Sequence, residues 1–178
     1  MIYKLVDSYD PILKQPTQKF DFDNPPIDPK ELQDNLTETV IQLKGTGLAA
    51  NQVGLPYRVA ICGHWSKPEE LITLFNPNIV DLSGDLYYAE EGCLSFPGLF
   101  VKVKRNMNIR VRYQLHDGTT DTSTLDGWAA RIIQHEVDHL DGITYLDRAN
   151  RIHRDQAMNQ KKKMDRIRRK NERRSKIA

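Results

Sequence analysis

The residues best suited to chemistry lie in one short segment, His135-Glu136-Val137-Asp138-His139. Histidines four positions apart lie on the same face of a helix, so both imidazoles can reach a single metal ion. Glu136 lies about 100° further around that helix, where its carboxylate can accept a proton from a metal-bound water without binding the metal itself. The H-E-x-x-H spacing therefore predicts a metal-dependent hydrolase with His135 and His139 as ligands and Glu136 as proton carrier.

Two histidines do not complete a catalytic metal site, so a third ligand must come from elsewhere. The longer metalloprotease pattern H-E-x-x-H-x-x-G-x-x-H matches through Gly142 but fails at its last position, which is Tyr145. His153 and Glu172 follow further downstream, in a strongly charged region that offers little rigid support for a ligand. Upstream, the thiolate of Cys93 would complete a Cys-His-His set and leave a fourth position for water. A lone cysteine is also typical of a small buried apolar residue.

Two helices and several strands must position these residues. The first helix is predicted from Pro29 to Lys44, because Asp28 can cap it, Glu31 completes a capping box and Gly45 can end it. The second runs from Trp128 to about Leu140, ends near Gly142 and carries the histidine motif on a broadly apolar surface, as a central helix would. The predicted strands are Arg58–Cys62, Leu71–Phe75, Asn78–Asp81, Leu86–Ala89, Val101–Leu115 and Thr119–Leu125. Strands followed by a late buried helix, without regular βαβ alternation, indicate an α+β fold.

Length and composition are those of a single soluble domain. The chain has 178 residues, 39% of them hydrophobic and 28% charged, which is ordinary for a globular protein. No run approaches the ~20 apolar residues of a membrane span, and the first residues lack the apolar core of a signal peptide. The two cysteines are too few for a disulfide scaffold. We therefore expect a cytoplasmic protein without membrane association.

The charge is unevenly distributed along the chain. Residues 151–178 hold 12 of the 26 Lys/Arg and 3 of the 24 Asp/Glu, which leaves 14 basic and 21 acidic residues in the first 150. An acidic body with a basic tail indicates a polyanionic partner for the tail alone. The tail has helix-forming composition but only a weak apolar stripe of Ile152, Met158, Met164 and Ile167. Both a docked helix and a frayed one agree with that pattern.

Three segments taken together resemble the peptide deformylase family. Residues 45–52, 91–95 and 134–139 match its motifs G-Φ-G-Φ-A-A-x-Q, E-G-C-Φ-S and Q-H-E-x-x-H, where Φ is apolar. Thr46 is the one departure, because the family usually has an apolar residue there. Taken alone, the first segment is weak evidence, since its glycines and alanines could serve capping and packing. The resemblance runs from about Leu5 to Leu146.

The resemblance implies a fold, a division of the chain and a reaction. The fold would have mixed or antiparallel β-sheets around the H-E-x-x-H helix, with an N-terminal helix and a C-terminal helical extension. Residues 1–147 would form the catalytic domain and 148–178 the basic extension. The reaction would be hydrolysis of the N-formyl group from the formylmethionine of nascent polypeptides, which releases formate.

The resemblance also implies roles for individual residues. Cys93, His135 and His139 would hold one divalent metal ion per chain, iron(II) natively, with nickel, cobalt or zinc possible in a purified protein. Glu136 would act as general base and then acid. The side-chain amide of Gln52 and the backbone N–H of Leu94 would stabilise the oxyanion.

We expect the substrate to bind as an added strand, with the methionine side chain in an apolar pocket. Glycines let a peptide backbone approach closely, and residues on a buried helix are as often core as pocket. The expected substrate contacts are Gly45, Gly47, Gly92, Leu48, Trp128 and Ile132.

The basic tail has two interpretations. It could be a solvated segment that aids solubility, or it could dock on ribosomal RNA near the exit tunnel through its phosphates. We favour docking, through Lys161, Lys162, Lys163, Arg166, Arg168, Arg169 and Lys170. The protein is otherwise expected to be a monomer. A general metallopeptidase and an inactive RNA-binding module remain the alternative functions.

Overall fold

The computed structural model describes residues 1–175, without the side chains of Lys170 and of residues 173–175. Four α-helices and five strands follow the order α1 (Pro29–Gln42), β1 (Gly47–Ala49), β2 (Val59–Cys62), β3 (Ile72–Glu91), β4 (Val101–Gln114), β5 (Thr120–Asp126), α2 (Gly127–Leu140), α3 (Tyr145–Arg148) and α4 (Arg151–Ser175). The strands form one antiparallel sheet in the order β1-β2-β3-β4-β5. The predicted α+β class is confirmed.

Helix α1 begins as the sequence predicts but ends differently. The Asp28 carboxylate accepts a hydrogen bond from the backbone N–H of Glu31 at 2.8 Å, which caps the first turn. At the other end, the residue with left-handed backbone is Lys44, with φ of 54°, whereas Gly45 was expected to end the helix. Gly45 meets a packing requirement instead, because a Cβ there would lie 2.9 Å from Cδ1 of Leu94.

Strand β3 is longer than predicted. It joins three runs that the sequence separates, and irregular register occurs at Phe75/Asn78, Ile79/Asp81 and Ser83/Leu86. Pro77 and Gly84, which look like strand breaks, lie within these irregular stretches, and bulges are where a sheet tolerates proline and glycine. The pairing of β3 with β4 ends at Glu91↔Val101. The carboxylate of Glu91, the last residue of β3, therefore lies next to the segment that contains Cys93.

Helix α2 is the centre of the fold. Ten of its residues are buried, including both histidines and Glu136, and it packs against β1, β2, β3, β4 and β5. It ends at Leu140, with Asp141 as the C-cap and Gly142 next at φ of 73°, as the sequence predicts. A second part of the core packs α1 against Leu48 of β1 and against the rings of Phe20 and Phe75. The histidine motif is therefore held by a helix that is fixed on several sides.

Helix α4 docks on the body through small and polar residues. His153, Ala157, Lys161 and Asp165, four positions apart, are less exposed than their neighbours. The weak apolar stripe predicted from sequence is instead on exposed positions, with Ile152 at 68% and Met164 at 60%. Ala157 packs in a cluster with Leu99 and Val101, where a small side chain allows close approach. Within residues 1–175, no helix is both long and apolar enough to cross a bilayer.

Candidate active site

Three potential metal ligands come together from two distant parts of the chain. Cys93 follows β3, while His135 and His139 lie one turn apart on α2. Their ligand atoms all lie within 4.8 Å of one another, and Cys93 Sγ is 3.2 Å from His139 Nε2. Ligands at ~2.0–2.3 Å from a tetrahedral ion lie about 3.3–3.6 Å apart, and the 3.2 Å between Cys93 Sγ and His139 Nε2 is close to that separation.

The electrostatic surroundings also favour a cation at this position. Burial opposes a charge on His135, but hydrogen bonds to Cys93 and Glu91 outweigh it and raise the pKa of His135 to about 10. His139 differs, since burial and then the neighbouring His135 hold its pKa well below the ordinary value. One imidazole is thus kept neutral, as ligation requires, in surroundings that attract positive charge.

Glu136 lies beside this group in surroundings that favour the protonated, neutral form of its carboxyl group. Burial raises the pKa of Glu136 to about 7, although the charges of His135 and Arg105 oppose that rise. Its Oε2 is buried and has no hydrogen-bond partner among the described residues. A buried oxygen without a partner is unusual and calls for an explanation, and one that faces a cavity can receive a substrate or a water.

The structure gives Gly47 a specific reason to be glycine. A Cβ at this position would lie 2.8 Å from Cδ and 2.9 Å from Cγ of Glu136. Gly47 pairs with Cys62 in the β1–β2 ladder, so its backbone cannot simply move away. The close approach expected at Gly47 is therefore first of all to the side chain of Glu136.

Gln52 is held with one end of its amide toward the candidate ligands. Its Oε1 accepts from the backbone N–H of Ala49 at 2.9 Å. Its Nε2 donates to Ser95 Oγ at 3.0 Å and lies 3.4 Å from Cys93 Sγ. Two fixed contacts define which end of the amide faces Cys93, and that end is the donor.

A buried ion cluster behind His135 was not predicted. Glu91 binds Arg105 through two contacts of 2.7 and 2.9 Å, Arg131 at 2.5 Å and His135 Nδ1 at 3.0 Å. Arg105 also contacts Asp138 at 2.7 Å. Burial alone would raise the pKa of Glu91, but the hydrogen bonds from His135 and Arg105 lower it to about 2. Glu91 therefore stays ionised, orients His135 and leaves its Nε2 for a metal.

Strand alternation contains a signal for this cluster. The first buried positions of β4 are Val101, Val103 and Arg105. Arg105 is therefore a charged residue on the face of the strand whose other residues are apolar and buried. Such a residue requires a buried partner. The same alternation places Glu91 inward and Glu90 outward, which tells the two neighbouring carboxylates apart.

A cavity of about 440 Å³ opens over these residues. Most of the predicted site residues line it, namely Gly45, Gly47, Gln52, Gly92, Cys93, Leu94, Trp128, Ile132, His135 and Glu136. Leu48 does not, because it is fully buried in the core against α1. His139 is also fully buried and does not line the cavity, but it contacts Cys93 Sγ and the ring of His135. Trp128 is 55% exposed and lies at the rim, not within the core.

The alternative third ligands lie elsewhere. Tyr145, at the position where the longer pattern has histidine, is a core residue whose hydroxyl donates to the Leu99 carbonyl at 2.9 Å. His153 lies on α4 with its ring against Tyr88, 5.1 Å between centroids. Glu172, near the end of α4, forms an ion pair with Arg168 at 3.7 Å. Of the candidates considered, only Cys93 joins the two histidines.

The predicted RNA-binding residues do not share one environment. Lys161 turns inward and contacts the Pro97 carbonyl, and Arg168 pairs with Asp165 and Glu172. The residues that extend outward on α4 are Lys162, Lys163, Arg166 and Arg169. The side chain of Lys170 lies outside the described residues.

Known proteins are similar to this chain in sequence and in fold. The family model described as polypeptide deformylase matches residues 2–155. A peptide deformylase of Desulforudis audaxviator (strain MP104C) is 41% identical over 154 residues, which cover 86% of this chain and 97% of the relative. The crystal structure of peptide deformylase from Thermus thermophilus has a TM-score of 0.82 at 34% identity, with 91% of this chain and 94% of that chain covered. A Met-Ala-Ser-bound class I type b peptide deformylase from Acinetobacter baumannii has a TM-score of 0.76 at 29% identity, with 83% and 98% covered.

The match spans both the sheet and the helix that carry the cavity, and the relative is covered almost completely. The family uses a catalytic metal ion, and the Cys93, His135 and His139 group is suited to hold one. This chain belongs to the polypeptide deformylase family, enzymes that remove the N-formyl group from nascent polypeptides.

Proposed function

We propose that Cys93, His135 and His139 hold one divalent metal ion and that Glu136 moves the protons of deformylation. The observation that carries this proposal is the buried Oε2 of Glu136, which has no partner among the described residues and lies beside three convergent ligand atoms. When bound, the ion supplies the Lewis acidity that makes water nucleophilic near neutral pH. We infer iron(II) as the native ion, although a mixed thiolate and imidazole set also suits nickel, cobalt and zinc.

The side chains then have separate tasks. Glu136 accepts a proton from the attacking water and passes it to the leaving amine. The Nε2 of Gln52 and the backbone N–H of Leu94 donate to the formyl oxygen as negative charge develops on it. Glu91 holds His135 in the tautomer and orientation that ligation needs, through the 3.0 Å contact to Nδ1.

The substrate peptide lies along β1, with its methionine in the cavity. Strand β1 is the edge of the sheet, so it has one side available for main-chain hydrogen bonds to an added strand. Main-chain recognition tolerates many sequences, which suits an enzyme that acts on many nascent chains. Trp128 and Ile132 supply apolar surface for the methionine side chain, while Leu48 supports β1 from the core.

A comparison of two peptides tests this function against a general metallopeptidase. We expect metal-loaded protein to release formate from formyl-Met-Ala-Ser and to leave Met-Ala-Ser intact, because the small formyl group is the reacting end. Cleavage of the unformylated peptide, or no formate from the formylated one, would contradict the proposal.

We also propose that the chain is a cytoplasmic monomer in two parts, residues 1–147 as the catalytic domain and 148–178 as a basic extension that docks on ribosomal RNA. The support for docking is the charge of the tail and the outward position of four cations on α4. Phosphate contacts of this kind weaken as salt rises.

Ribosome cosedimentation at several salt concentrations tests the docking. In the test variant, four outward cations of α4 are changed to glutamine: Lys162, Lys163, Arg166 and Arg169. In the control variant, four exposed lysines elsewhere are changed to glutamine: Lys4, Lys19, Lys102 and Lys104. Each lost phosphate contact should reduce the salt slope by about 1. The same affinity and slope in both variants would refute docking through α4.

A further inference from the structure

A tight turn forms part of the cavity rim. The backbone N–H of Leu99 donates to the Phe96 carbonyl at 3.2 Å, and Gly98 has φ of 70°. Proline as the second residue and a left-handed glycine as the third define a type II turn. All four residues of this turn line the cavity.

Helix α4 reaches this turn through one side chain. The Lys161 ammonium donates to the Pro97 carbonyl at 3.0 Å, and it lies 3.6 Å from where a Cβ of Gly98 would be. The carboxylate of Asp165 lies 3.5 Å from the same ammonium. With 35% of its side chain exposed, Lys161 is set apart from the outward lysines that follow it.

The contact bears on the orientation of one peptide plane. Type I and type II turns differ by a flip of the central peptide, so the carbonyl of the second residue points to opposite sides in the two forms. An ammonium that donates to this carbonyl therefore stabilises one of the two forms. The backbone from which the Lys161 side chain extends is also held in place, because Ala157, one turn earlier, packs in a cluster with Leu99 and Val101.

The orientation of the turn matters because it carries the aromatic rim. Phe96 lies at one end and packs on Tyr145, with 5.9 Å between ring centroids. Phe100 follows the other end and covers Gly92, where a Cβ would lie 2.6 Å from its ring. A flip of the Pro97–Gly98 peptide would reverse the directions of the Pro97 carbonyl and the Gly98 N–H at the cavity rim, between these two rings.

We propose that Lys161 is a positioning residue for substrate binding, which holds the turn at residues 96–99 and so sets the rim of the peptide site. The proposal deepens the proposed function and rests on the cavity being the peptide site. It also divides α4 into an inner face that shapes the active site and an outer face that carries the free cations. The tail thereby belongs in part to the catalytic unit.

The test compares Lys161→Met with Arg154→Met, which removes one exposed positive charge from the same helix. Formate release from formyl-Met-Ala-Ser is measured with the full-length, metal-loaded enzymes, together with their Tm. We expect Lys161→Met to raise KM roughly three- to tenfold, the range for the net loss of one hydrogen bond at a partly exposed site, with kcat within about twofold. Lys161→Arg, which can still donate to the carbonyl, should restore KM, and Arg154→Met should match wild type.

Three results would overturn the proposal: an unchanged KM in Lys161→Met, a fall in kcat that follows Tm without a rise in KM, or no restoration by Lys161→Arg. Wild-type activity separates the two questions. If the wild-type enzyme releases no formate, the proposed function fails, whereas active wild type with an unaffected Lys161→Met refutes only the role of Lys161.

Discussion

A single added methyl group at Gly47 should disable the enzyme without removing its metal. Gly47→Ala places a Cβ at 2.8 Å from Cδ and 2.9 Å from Cγ of Glu136, where ordinary contact begins at 3.4 Å. Rotation of the carboxylate alone does not relieve the contact, because Cγ is also too close. Glu136 is 5% exposed, and the side chain or β1 must shift by at least 0.6 Å, the difference between 3.4 and 2.8 Å.

The size of the effect follows from the task of Glu136. A displacement of about 1 Å in a catalytic group can cost ~10²-fold in rate, and a general base contributes ~10²–10⁴-fold. We therefore expect kcat to fall about 10²-fold. Overpacking should also reduce the free energy of unfolding by about 1–3 kcal/mol. The three atoms nearest to the new methyl all belong to Glu136, so metal content should stay at the wild-type value.

Formate release and metal analysis on one preparation check this prediction. Gly92→Ala is the matched control, because it adds the same methyl to the same cavity but meets the ring of Phe100, which is 61% exposed and can rotate away. Its kcat should fall less than about tenfold. A Gly47→Ala enzyme with kcat within about threefold of wild type, or one that has lost its metal, would show that the contact with Glu136 does not govern activity.

Three further substitutions test other parts of the site. Gln52→Leu removes an oxyanion donor and should lower kcat by ~10²–10³ with the metal retained; a rate near wild type would exclude that role. Cys93→Ser should lower the metal content of the purified protein, and full retention with an unchanged absorption spectrum would remove Cys93 from the ligand set. Glu91→Gln leaves Arg105 and Arg131 with less buried negative charge, so we expect about 3–5 kcal/mol less stability by chemical denaturation and about 10–100-fold weaker metal binding. Wild-type stability and metal affinity would refute the role of Glu91 as the orienting carboxylate.

The part of the site on α2 could be predicted from local spacing. His135, Glu136 and His139 depend only on helix geometry, which the sequence determines over one turn. Cys93 is 42 positions away from His135, and no periodicity relates a residue after a strand to a helix so distant. The residues alone made Cys93 a candidate ligand beside the alternative of a buried apolar cysteine, and the resemblance to a known family favoured the ligand; the structure brings the three ligand atoms together.

Long-range packing accounts for what the sequence did not predict. Lys44, not Gly45, adopts the left-handed backbone after α1, whereas the absence of a side chain at Gly45 allows the approach of Leu94. Strand β3 continues across Pro77 and Gly84 because its partner β4 accommodates them in irregular register. Helix α4 docks through Ala157, which packs in a cluster with Leu99 and Val101. The local sequence does not predict that contact, because these partners lie more than 50 positions earlier in the chain.

The proposed deformylation depends on one role above all, that of Glu136 as proton carrier of a metal centre built by Cys93, His135 and His139. Its most direct test is Glu136→Ala, purified anaerobically with iron(II) and assayed for metal content and formate release on the same sample. We expect one metal ion per chain and a kcat reduced ~10²–10⁴-fold. Formate release near the wild-type rate by a protein with its metal bound would contradict it.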